Sequence, residues 1–175
     1  MTSVLVSDAE ARFREVFVHL PEVVAYARRR GSRDPEAIGA EVLTIAWRKL
    51  ADVPIDDARP WLYATARNLV HSERRKARQS DCGDARATEV TEAELGASLL
   101  DPELTRALSV LSVRDREALL LVAWEDLTPA LAARTLGVTQ AAFRVRLHRS
   151  RRRLRGLLEA DVAASSVPGL EVEEL

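Results

Sequence analysis

At 175 residues and 47% hydrophobic content, the chain can bury one ordinary core or two small ones, which excludes a disordered chain or a scaffold that needs staples. The net charge of -1 hides segments of opposite sign: residues 1–78 carry 14 basic and 11 acidic side chains, 79–103 carry 1 and 7, 104–158 carry 11 and 4, and 159–175 carry 0 and 5. The single cysteine, Cys82, excludes an intramolecular disulfide and a multi-cysteine zinc site, and no run of about 20 apolar residues marks a membrane span, so a soluble, cytoplasmic protein is expected.

Apolar residues recur at helical spacing and alternating strand-like runs are almost absent, which predicts an all-α chain of two small helical domains joined by a flexible acidic linker. The first domain is expected over residues 8–78. Its first helix spans about Ala9 to Arg30 and ends at Gly31, a left-handed cap. Asp34-Pro35 opens a second helix to about Leu50, with Ile38, Val42 and Ile45 inward. Ala51 to Ala58 reads as a loop, and Pro60 starts a third helix to about Arg78. Residues 79–101 read as the linker.

The second domain is expected over residues 102–158. Asp101-Pro102 starts a helix to about Leu111, Ser112 caps another to about Trp124, and Thr128-Pro129 caps a third that ends at Gly137. Thr139 caps a last helix to about Leu158, after which an acidic tail, 159–175, is expected to lose order. Trp47 and Trp124 are assigned to cores, as large apolar side chains usually are.

The last helix carries the strongest chemical signal. Between Thr139 and Leu158 stand seven arginines and no acidic residue, so the usual alternating ion pairs of a solvated helix are missing. At about 100° per residue, Phe143, Leu147, Ser150 and Leu154 share one face. Gln140, Ala141, Arg144, Val145, His148, Arg149 and Arg152 share the opposite one, with Arg146 at its flank. A helix, a turn at Gly137 and a second helix exposed at its start form a helix-turn-helix, whose early residues, here Thr139 to Val145, reach base edges in the major groove. Gln140 suits adenine and Arg144 guanine, and the later arginines suit phosphate.

The third helix carries a second basic stripe of Arg67, His71, Arg74, Arg75 and Arg78, bordered by Trp61, Tyr63 and Asn68 and preceded by Arg59. Aromatics beside arginines suit splayed single-stranded bases, although burial in the core is the commoner fate of a Trp or Tyr taken by itself. His19, His71 and His148 are far apart and no phosphate loop or metal-ligand spacing occurs, so no catalytic residues, metal or cofactor are expected.

Trp47-Arg48, the run from Pro60 to Leu69, Arg74-Arg75, Leu136-Gly137-Val138 and the run from Arg144 to Arg151 together resemble the extracytoplasmic-function group of bacterial RNA polymerase sigma factors, within the sigma-70 family. The resemblance covers about residues 10–78 and 102–158. It implies a non-enzymatic promoter-specificity subunit. The second helix of such a protein, with Glu36, Ala37, Ala40, Glu41, Leu43 and Trp47, would bind core RNA polymerase. Its third helix and the preceding loop would take the melted downstream promoter element, and its last helix would read the upstream element as duplex. Proteins of this type are commonly held inactive by an anti-sigma factor. Ala37 and Ala40 stand where the family usually has an acidic residue and a glutamine, which keeps open a second reading: a helix-turn-helix regulator without polymerase binding.

Overall fold

The computed structural model describes residues 2–54, 56–80 and 101–165; of the expected linker, 79–101, residues 81–100 lie outside them, as do the last ten residues, while Gln79 and Ser80 belong to the last helix of the first domain. Among the described residues there are eight α-helices and no strand. The amino-terminal group is α1 (Thr2–Phe17), α2 (Leu20–Arg29), α3 (Pro35–Arg48) and α4 (Arg59–Ser80). The carboxy-terminal group is α5 (Pro102–Val110), α6 (Val113–Ala123), α7 (Pro129–Leu136) and α8 (Gln140–Ser165).

The single helix expected from Ala9 to Arg30 is in fact two. Pro21 has no amide hydrogen and its ring would collide with the carbonyl four residues back, that of Phe17, so α1 stops there. Helical bonding resumes with the Val23 amide on the His19 carbonyl, and Pro21 sits in the first turn of α2, where it is tolerated. At the other end of α2, Gly31 takes φ 67°, the left-handed conformation, and the Ser32 amide reaches back to the Ala27 carbonyl at 3.1 Å. Asp34 then caps α3 through the Ala37 amide at 2.9 Å.

In the amino-terminal group α2 packs on α3 and α4, and α1 closes over α3. Gly39 sets how closely α2 and α3 approach, since a Cβ there would stand 2.7 Å from Val24 Cγ2 and 2.9 Å from Leu20 Cδ1. In the carboxy-terminal group α8 packs on α5, α6 and α7, and the two groups meet where α4 lies against α7. One continuous apolar core runs through both, from Tyr26, Val42 and Leu62 to Leu121, Leu127 and Phe143.

Two further expectations need correction. The tail was expected to lose order from residue 159, but α8 continues to Ser165, because Glu159, Ala160, Ala163 and Ala164 favour helix and outweigh Asp161 among them. Trp47, assigned to the core, is 48% exposed: it lies in the last turn of α3 on the side facing α1, where its ring meets that of Phe13 in a T-shaped contact.

Candidate nucleic-acid interface

Thr128 caps α7 through the Leu131 amide, Gly137 turns the chain at φ 64°, and Thr139 caps α8 through the Ala142 amide at 3.2 Å. This is the expected helix-turn-helix. On α8, Phe143, Leu147 and Ser150 are buried, while Thr139, Gln140, Ala141, Arg144, Val145, His148, Arg149 and Arg152 are exposed. Arg146 is half-buried at the edge, and its carbonyl lies 2.9 Å from the Ser150 hydroxyl. The rotation of α8 is fixed by Asp115 in the first turn of α6. Its carboxylate lies 3.0 Å from the Ser150 hydroxyl and accepts from the Ser112 hydroxyl at 2.7 Å. Sequence reasoning missed Asp115, although its spacing from the cap Ser112 is that of a capping box.

The stripe on α4 is divided. Asn68, His71 and Arg75 are exposed, while Arg67 and Arg74 are half-buried. Arg74 donates to the Arg30 carbonyl, and Arg67 Nε lies 3.8 Å from Glu117 of α6. Arg59 is held by Asp57, with Nε and Nη2 at 3.1 and 2.9 Å from its two oxygens. Trp61 is half-buried against the core, and Tyr63 is buried and stacks on Tyr26 at 5.0 Å, so Tyr63 is a packing residue. The side chain of Arg78 lies outside the described residues.

The third face is apolar. On α3, Glu36, Ala37, Ala40 and Glu41 are exposed, Glu36 pairing with Arg28 at 2.6 Å, and Leu43 is buried. Phe13 and Phe17 of α1 extend this face, Phe13 meeting Trp47 edge-on at 5.0 Å and Phe17 standing 51% exposed. A groove lined by Phe13, Phe17, Leu20, Ala40, Leu43 and Trp47 results. The sequence held its signal in the phenylalanines four apart on α1, which share one helix face.

Between the two groups lies a buried charge cluster that sequence reasoning did not find. Arg30 reaches Glu117 and Glu125, each at 3.4 Å; Arg29 also pairs with Glu125, and Tyr26 donates to Glu117 at 3.0 Å. Arg30 further stacks over the Tyr26 ring at 4.4 Å. Burial pushes the Glu117 carboxyl up, but the Arg30 and Arg67 charges and the Tyr26 hydroxyl outweigh it and hold it below the ordinary range. A depressed carboxylate contributes stability above its unperturbed pKa of about 4.3 and loses it as pH falls through the lowered value. Between about pH 6 and pH 3, wild type is therefore expected to lose more thermal stability than Glu117→Gln. Equal losses in a melting series would contradict this.

The sigma-70 region 4 family model matches residues 102–154, the span from α5 into α8. Residues 102–154 are thus similar to a sigma-70 region 4. No curated protein matches the chain. Among solved structures, the chain is similar to the sigma factor RpoE of Bartonella quintana in complex with the anti-sigma factor NepR, at 27% identity and a TM-score of 0.61, covering 85% of this chain and 96% of that one. It also shares the fold of CnrH in complex with the cytosolic domain of CnrY, at 24% identity and a TM-score of 0.61, covering 90% and 97%. Region 4 and the sigma-factor likeness over most of the chain support a sigma-factor role. Among the described residues no helix is long and apolar enough to cross a membrane, and no three His, Cys, Asp or Glu lie so as to hold a metal ion.

Proposed function

We propose that the chain is an alternative sigma factor of the extracytoplasmic-function type, which binds core RNA polymerase, reads promoter DNA and promotes strand opening without catalysis of its own. The observation that carries this reading is the outer face of α8: an acid-free row of arginines, exposed on the second helix of a region 4 helix-turn-helix. Gln140, Arg144 and Arg149 face outward where base edges would lie, and Arg152 follows toward phosphate. Trp61, Asn68, His71 and Arg75 of α4 are the residues for the melted strand, with Arg67 and Arg74 beside them. The apolar groove of α1 and α3, with Trp47 at its rim, is the surface for core polymerase. The RpoE structure holds the anti-sigma factor NepR, and an anti-sigma factor is the corresponding partner expected for this chain.

Arg144→Ala and Arg149→Ala are each expected to weaken duplex binding, by about 1–3 kcal/mol where a base is read. A footprint unchanged in both variants would remove α8 from the interface. The regulator reading keeps one observation in its favour, since Ala37 and Ala40 offer the polymerase face no polar group. Sigma-free core polymerase, immobilised and washed, is expected to retain the chain; duplex binding without such retention would decide for the regulator.

A further inference from the structure

The arginines that meet Glu117 and Glu125 belong to the amino-terminal group, and the two carboxylates to region 4. The two carboxylates and Arg30 are deeply buried, with side chains 1% exposed for Glu125, 7% for Glu117 and 8% for Arg30, whereas Arg29 and Arg67 at the edge keep 30% and 29%. Three guanidinium groups thus face two carboxylates. The contact is also imperfectly satisfied, since Arg30 Nη2 and Arg67 Nε are buried without a hydrogen bond. Taking charges out of water costs roughly what their mutual attraction returns, so such a cluster adds little net stability even though removing one partner is costly. Phosphate offers guanidinium the same forked, charge-assisted hydrogen bonds as carboxylate, so replacing one by the other is close to balanced.

Lifted from region 4, Arg29 and Arg30 at the end of α2 would join Arg67, Arg74 and Arg75 of α4 in one basic surface. We propose that Glu117 and Glu125 are internal stand-ins for strand phosphates: they hold region 4 against the amino-terminal group, and Arg29, Arg30 and Arg67 take the backbone of single-stranded DNA once region 4 moves away. This rests on the strand-binding role proposed for α4 and adds the end of α2 to it. Docked region 4 and bound strand then exclude each other, while the duplex face of α8 stays exposed in both states. On the rim, Arg134 and Asp56 at 3.4 Å, exposed to water, contribute little to the docking.

The test uses the full chain with Cys82→Ser and dyes on Ala51→Cys and Ala123→Cys, exposed positions on either group. Glu117→Gln with Glu125→Gln is expected to lower energy transfer between the dyes and to tighten binding of a labelled polythymidine oligonucleotide on the order of tenfold. Duplex affinity should not change. Unchanged transfer, unchanged oligonucleotide affinity, or no oligonucleotide binding by either protein overturns the proposal. Should the double variant fail to fold, the parent chain decides: transfer must fall as the oligonucleotide saturates it, and saturation at constant transfer overturns the proposal. Neither readout uses polymerase, so a chain that opens and binds strand but directs no transcription would refute the sigma-factor reading and leave this contact standing.

Discussion

Phe143→Ala is expected to cost about 3–5 kcal/mol of unfolding free energy and to weaken duplex binding, although Phe143 does not face DNA. Its ring is fully buried and is the first large apolar side chain of α8, with Leu147, 5% exposed, one turn further on. Gln140, Ala141 and Arg144 stand on the same turns as Phe143, so their placement depends on how firmly this part of α8 is seated. A cavity here would let the recognition end of α8 tilt while the Ser150 contact with Asp115 still held the middle. Phe143→Leu leaves most of the volume filled and should cost considerably less. Urea denaturation followed by helical circular dichroism measures both, and a Phe143→Ala midpoint equal to wild type would show that this contact does not seat the helix.

The second large effect is expected at Arg116, which is 7% exposed inside the carboxy-terminal group. Its Nε donates to the Leu108 carbonyl at 2.8 Å and its Nη2 to those of Ser109 and Leu111 at 3.1 and 3.0 Å. These carbonyls belong to the last turn of α5 and its cap; that of Leu108 also accepts from the Leu111 amide at 3.3 Å, while those of Ser109 and Leu111 lie where a helix end leaves its last carbonyls without a partner. One guanidinium therefore satisfies the end of α5 and places a cation at the negative end of its dipole. Arg116→Ala removes the guanidinium from the Ser109 and Leu111 carbonyls and leaves Leu108 only its bond from the Leu111 amide, at a cost on the order of 3 kcal/mol. Arg116→Lys keeps the charge but loses the fork, and is expected to recover less than half of the loss. Full recovery by lysine in the same denaturation assay would mean that charge, not geometry, holds α5.

Much of the architecture was legible because it is set by local chemistry. Asp34, Ser112, Thr128 and Thr139 cap the helices they were expected to cap, and Gly31 and Gly137 take the left-handed turns assigned to them. The inner and outer faces of α8 follow from helical spacing alone. The misses have different physical origins. Pro21 carried a local signal against a continuous first helix, and the apolar periodicity on both sides of it masked that signal. Arg59 looked like a free cation, yet it lies two residues from Asp57 and binds it. The buried cluster could not be read locally, because Arg30 and Glu117 are 87 residues apart and meet through the packing of the two helical groups, in which α4 lies on α7. Arg67, placed correctly on the basic side of α4, therefore had a partner that no periodicity could supply.

The central claim is that α8 and α4 grip closed duplex and opened strand at separate points of one promoter, in the service of core polymerase. Run-off transcription with sigma-free core polymerase over a broad panel of genomic templates tests it most directly. Defined transcripts that appear only when the chain is added, and that fall with Arg144→Ala or Arg149→Ala, are the expected result. Core polymerase that neither associates with the chain nor initiates on any template would contradict it.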